Sequence, residues 1–162
     1  MARTLILACG NPLRGDDAVG WHIAAALQDN PSWPDIEVET AHQLGPEMAE
    51  RISQVGIVIF VDASVTQEPG SIRFERVSPS RSASGAFTHE LKPAALLALA
   101  EALYGRSPAR AFALNVGAES LELNEDLTES VRASIPEAVH TILGYLARQV
   151  SLPKRATRTV MA

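Results

Sequence analysis

A single cysteine, Cys9, stands in a chain of 162 residues. An internal disulfide or a cysteine-built zinc site needs several thiolates in one place, so both are excluded, and Cys9 reads as a small, buried, reduced side chain. Positive charge is scarce as well. The 14 Lys and Arg are outnumbered by 19 Asp and Glu, and the net charge of −5 repels a phosphate backbone, which argues against a nucleic-acid partner. The one basic cluster, Lys154, Arg155 and Arg158, falls in a short terminal stretch and reads as a solvated tail. No apolar run approaches the roughly 20 residues that cross a bilayer, so no membrane partner is expected. Met1-Ala2-Arg3-Thr4 leads into an apolar run with no secretory pattern, which makes a cytoplasmic location the expectation. No Pro/Gly/Ser-rich stretch divides the chain. One domain over 1–150, followed by a flexible basic tail over 151–162, is the simplest organisation.

What the chain does have is two continuous apolar runs, each ending near acid. Leu5-Ile6-Leu7-Ala8-Cys9 reads as a strand buried on both faces. It leads into the turn Gly10-Asn11-Pro12-Leu13-Arg14-Gly15-Asp16-Asp17, after which Val19, Ile23, Ala26 and Leu27 recur at helical spacing. Ile36-Glu37-Val38-Glu39-Thr40 alternates apolar with acidic residues, as a strand near a sheet edge does. Gly45-Pro46-Glu47 opens a second helix reaching about Val55, and Gly56 to Val61 is the second apolar run, ending on Asp62. This order, βαβαβ, predicts parallel strands with crossover helices.

Between Asp62 and Ser71-Ile72-Arg73-Phe74-Glu75-Arg76-Val77 lie eight residues, too few for a parallel crossover. The fourth strand is therefore expected to run antiparallel. The polar stretch from Ser78 to Thr88, at about 3.3 to 3.6 Å per residue, is long enough to return His89 to the opposite sheet edge. A third helix starts at Lys92 or Pro93 and ends near Gly105, Ala111 to Val116 forms a fifth strand, and Leu127 to Leu146 marks a long last helix. The predicted fold is a three-layer α/β/α sandwich on a mostly parallel five-stranded sheet with one antiparallel strand.

Ligands of open parallel sheets bind beyond the carboxyl ends of the strands, where the strand order reverses. If the first and third strands flank that point, Asp16 and Asp17 from one loop and Asp62 from another converge on one crevice, and His89 can add an imidazole nitrogen. One or two carboxylates with one histidine suit a divalent first-row metal and leave coordination positions open, whereas calcium or magnesium asks for more oxygens and no nitrogen. Each residue also has a plainer use. Asp16 can cap the first helix, Asn11 can stabilise the turn, and His89 can cap the third helix. His22, within the first helix, and His42, in the loop before Gly45, are not expected to join the group.

At these residues the chain resembles the hydrogenase maturation proteases, endopeptidases that trim the carboxyl terminus of the large subunit of nickel-iron hydrogenases. The resemblance is carried by Gly10 through Gly20, by Val61-Asp62-Ala63 and by Thr88-His89-Glu90-Leu91, with weaker echoes at Gly45-Pro46-Glu47 and Leu127-Thr128-Glu129-Ser130-Val131. It implies a nickel-binding triad, which falls on Asp17, Asp62 and His89. It also implies that the nickel arrives in the substrate, a large-subunit precursor, so the isolated protein need hold none. Three positions depart from the family habit: Asp17 stands where glutamate also occurs, Glu90 where aspartate is frequent, and Cys9 where glycine is frequent.

The chemistry expected from the resemblance is metal-assisted peptide hydrolysis by an aspartic-type endopeptidase. Nickel in the precursor docks on Asp17, Asp62 and His89, and Asp16 or Asp17 serves as general base for the attacking water. A monomer is the simplest expectation. The rival reading is a nickel-sensing chaperone for hydrogenase assembly that checks the loaded precursor without cutting it. A phosphate cradle is disfavoured, because the turn lacks the Gly-x-Gly-x-x-Gly spacing and turns two acids toward the phosphate.

Overall fold

The two apolar runs lie side by side at the centre of one sheet. The computed structural model describes residues 3–30, 35–81 and 91–151. Its strands are β1 (Thr4–Cys9), β2 (Ile36–Ala41), β3 (Ile57–Ser64), β4 (Ile72–Arg76) and β5 (Arg110–Gly117). Its helices are α1 (Val19–Gln28), α2 (Met48–Ser53), α3 (Pro93–Tyr104) and α4 (Glu129–Ser151). The sheet order is β2-β1-β3-β5-β4, with every pairing parallel except the antiparallel β4–β5 pair. The chain goes from β1 to one side and then returns to place β3 on the other. The gap beyond β1 and β3 is therefore the point where strand order reverses.

The period of two along each strand sorts the core into two layers. Ile6 and Ala8 of β1 and Ile57, Ile59 and Val61 of β3 pack with α1 and α4 residues such as Ile23, Val131 and Ile142. Leu5, Leu7 and Cys9 of β1 and Val58 and Phe60 of β3 pack with Ile52 of α2 and Leu96, Leu97 and Ala100 of α3. These central side chains are almost wholly buried, and each Leu, Ile or Val withdrawn from water contributes about 1.5 to 3 kcal/mol. A strand buried on both faces has no polar side to show, which is why β1 reads as an unbroken apolar run.

The edge strand β2 is amphipathic for a matching reason. Glu37 and Glu39 share the α2 side of the sheet, where Arg51 of α2 pairs with both, its Nε lying 2.8 Å from Glu39 Oε1. The helix expected from Gly45 begins at Met48 instead. Gly45-Pro46-Glu47 forms a turn, with the Met48 N–H donating to the Gly45 carbonyl, and α2 stops at Ser53 rather than Val55. The strand expected to stop at Val61 runs on to Ser64, because β5 extends to Gly117 and pairs Asp62 with Asn115 and Ser64 with Gly117. Asp62 is thus held in the ladder itself. The return path expected for Ser78 to Thr88 lies mostly outside the described residues, as do His89 and residues 152–162 of the expected tail, while Ser151, its expected first residue, is the last of α4. Among the described residues no helix is long and apolar enough to cross a membrane.

Candidate active site at the switch point

Alternation along β1 and β3 sets the floor of the site. Cys9 continues the row Leu5, Leu7 and Asp62 continues the row Val58, Phe60, so both point to the α2/α3 side. Ala8 is in register with Val61, so Cys9 and Asp62 are the next rung. The Ala63 N–H donates to Asp62 Oδ1 at 2.8 Å, fixing the carboxylate against its own strand.

Asp17 reaches the same place from the loop after β1. Gly10 turns the chain with φ +145°, and the Asn11 side chain accepts from the Leu13 N–H at 2.9 Å, the turn-stabilising use expected of it. The Asn11 N–H then donates to Asp17 Oδ2 at 2.6 Å. A Cβ on Gly10 would stand 1.9 Å from the Asp17 carbonyl oxygen, so the loop closes this tightly only with glycine. Gly20 serves the next step, since a Cβ there would lie 3.1 Å from the carbonyls of Cys9 and Val61 and hold α1 off the sheet.

Asp17 and Asp62, both half-buried, line one open crevice of about 470 Å³ with Cys9, His42 and Lys92. An apolar cavity of about 300 Å³, with Leu7, Phe60 and Ala113 in its wall, adjoins it across Cys9, Leu44 and Asp62. Asp17 and Asp62 share one crevice as expected, but only Asp17 comes from a loop, Asp62 being carried by β3 itself. His89 is outside the described residues. Among the described residues no three His, Cys, Asp or Glu side chains cluster closely enough to hold a metal ion. The two carboxylates offer hard oxygen donors, and a first-row metal would need its nitrogen or further donors from elsewhere.

Asp16, expected among the catalytic acids or as a cap of its own helix, has another use. It is fully buried, makes no cap bond to the helical turn Gly15–Ala18, and is absent from the crevice wall. Its Oδ2 accepts from the N–H groups of Glu119 and Ser120 at 2.9 and 3.0 Å and from the Thr128 hydroxyl at 2.8 Å, while Oδ1 accepts from the Thr128 N–H at 2.7 Å. Burial alone would raise its pKa. The hydrogen bonds from Thr128, Ser120 and Glu119 outweigh that and hold it below 3.8. Asp16 is a clamp joining the first loop to the segment before α4.

His42, not expected to join the group, stands in the crevice. It follows the last residue of β2, whose Ala41 carbonyl accepts from the Gly10 N–H at 3.1 Å. Its ring meets the Trp21 ring edge-on at 5.8 Å. The available signal was its place just past the carboxyl end of the strand beside β1. Cys9 is buried as expected, and its thiol is pushed up to about 12, first by burial and then by the charges of Asp62 and Asp17. At neutral pH it is a thiol, not a nucleophile.

Fold and crevice together define a three-layer α/β/α protein with a carboxylate-lined site at its switch point. No protein-family profile matches the chain. The hydrogenase 2 maturation protease of Escherichia coli is 30% identical over 152 residues, covering 89% of this chain and 90% of that protein. The solved structure of the hydrogenase maturating endopeptidase HybD from E. coli superposes with a TM-score of 0.73 at 28% identity, covering 91% of this chain and 93% of that one. The [NiFe] hydrogenase maturation protease HycI from Thermococcus kodakarensis shares the fold, with a TM-score of 0.70 at 22% identity over 90% of this chain and 92% of its own. The chain belongs to the hydrogenase maturation protease family, and with it to the endopeptidases.

Proposed function

We propose that the protein removes the C-terminal extension of a nickel-loaded large-subunit precursor of a nickel-iron hydrogenase, and that Asp17, Asp62 and His89 grip the nickel carried by that precursor. The supporting observation is that Asp17 and Asp62, 45 residues apart in sequence, line one crevice at the switch point. Leu91, two positions after His89, lines the same crevice. Two carboxylates and one imidazole leave a first-row metal with open positions, as docking onto a metal already held by another protein requires.

Once docked, the metal places the extension over the crevice floor and can polarise the scissile carbonyl for attack by water. Asp17 and Asp62 then act as ligands, and Asp16 is committed to its clamp. The cytoplasm is the proposed compartment. The deciding experiment incubates the purified protein with nickel-loaded and nickel-free precursor and follows precursor mass. Loss of the extension from the loaded form alone, abolished by His89→Ala, is expected. Tight binding with unchanged mass would overturn the protease reading in favour of a nickel-sensing chaperone.

A further inference from the structure

We infer that His42 is the proton-transfer residue of peptide cleavage, a catalytic role separate from the metal-gripping side chains; the inference rests on the function proposed above. Hydrolysis adds the oxygen of water to the scissile carbonyl carbon and breaks the C–N bond, whose electron pair stays on nitrogen. The departing nitrogen must gain a proton, and the attacking water must lose one. A single side chain can carry both transfers if it gives a proton to the leaving nitrogen and recovers one from the water. The second proton of the water leaves to solvent, and the products are a carboxylate and an amine.

The crevice narrows the choice. Its titratable and charged groups among the described residues are Cys9, Arg14, Asp17, His42, Asp62 and Lys92. Asp17 and Asp62 are committed to the metal, and their role there requires them to stay ionised. Arg14 is a permanent cation, and Cys9 is almost wholly buried in the crevice floor. Lys92, exposed in the crevice wall, offers a point positive charge. Imidazole is the side chain that both gives and takes a proton near neutrality.

Position supports the same residue. The Trp21 indole N–H donates to the Gly10 carbonyl at 2.9 Å, and the Gly10 N–H donates to the Ala41 carbonyl at 3.1 Å. Both bonds end on the first residue of the loop that presents Asp17. The indole stands edge-on to the imidazole. Backbone and ring of His42 are thereby referenced to the acid loop, while the ring itself stays exposed to an incoming peptide.

The test is single-turnover cleavage of a nickel-loaded large-subunit precursor across pH 5 to 9, by wild type, His42→Gln, His42→Ala, Trp21→Phe and Asp17→Asn, with precursor binding measured in parallel. His42→Gln is expected to bind precursor within about threefold of wild type and to cleave it about 100-fold or more slowly, with one limb of the pH profile gone. Free imidazole should restore part of the rate to His42→Ala. Trp21→Phe should give a smaller loss with the pH profile kept, and Asp17→Asn should lose binding as well. Wild-type rate and pH profile in a folded His42→Gln, with wild type active, would overturn the role of His42 alone. A wild type that binds the loaded precursor without cutting it would overturn the proposed function and this inference together.

Discussion

At the carboxyl ends of β1 and β3, the two sides of the molecule treat neighbouring acids in opposite ways. Asp16 is turned into the body, fully buried and satisfied by three backbone N–H groups and a hydroxyl. Asp17, the next residue, is turned out over the α2/α3 layer, where it shares a crevice with Asp62. One side is closed by its carboxylate and the other is left open around its pair. Adjacent identical side chains can therefore differ in kind: the cost of burial sets the use of the first, and access to solvent and substrate sets the use of the second.

The sharpest way to break this contrast is to neutralise each acid in turn. If both acids grip the precursor's nickel as proposed, Asp17→Asn and Asp62→Asn should lower precursor cleavage about 1000-fold or more, each 1.36 kcal/mol of lost stabilisation being tenfold. Urea unfolding should find the fold unharmed in both. A large loss of stability with retained cleavage would reverse the assignment of the two sides.

Asp16→Ala should do the opposite. It leaves the N–H groups of Glu119, Ser120 and Thr128 without their acceptor, at a cost of about 3 kcal/mol by the usual penalty for stranded donors to a charged group. Thermal unfolding should fall by roughly 6 to 12 °C for a chain of this size. The folded-state pKa of Asp16 lies below its ordinary 3.8, so its contribution is fully present above that value and is lost as pH falls through the folded-state pKa. Wild type and Asp16→Ala should therefore approach each other in stability in strong acid.

A smaller effect comes from the hinge between the two sides. Gly10→Ala forces a Cβ to within 1.9 Å of the Asp17 carbonyl at φ +145°. The backbone must shift, at a cost of about 2 kcal/mol. Because the shift moves Asp17 and leaves Asp16 clamped, cleavage should fall more steeply than stability, which paired rate and unfolding measurements would show.

Much of this was legible beforehand, and the reasons differ by element. Two unbroken apolar runs announced the paired central strands, and the short link between Asp62 and Ile72 announced the antiparallel one. The two crevice acids could be found because each follows such a run. The fate of Asp16 was not legible, since its donors lie 103 to 112 residues away and no local pattern points to them. His42 was missed because it sits beyond an edge strand in a loop with no periodicity. Its relevance comes from a lateral contact with Trp21 and from the sheet order. The end of β3 was read short because its partner β5, not its own sequence, carries it to Ser64.

Cys9 gives the smallest and most specific test of the open side. Cys9 is 5% exposed, and its thiol is raised from 9.0 to about 12, by burial first and then by Asp62 and Asp17. A group raised on folding contributes stability that is full below its unfolded value and is lost as pH climbs toward the folded one. Between about 9 and 12 the unfolded chain sheds a proton that the native state keeps. Wild-type stability should therefore decline by up to about 1.4 kcal/mol per pH unit in that window. Cys9→Ala should cost about 1 kcal/mol at neutral pH through lost packing and flatten that alkaline decline, as urea unfolding at pH 8 and pH 10 would show. In Asp17→Asn and Asp62→Asn the native thiol should titrate at lower pH than in wild type, more so for Asp62→Asn. If neither substitution moves it, the two carboxylates do not press on the thiol from one crevice, and the open side is not the single site described above.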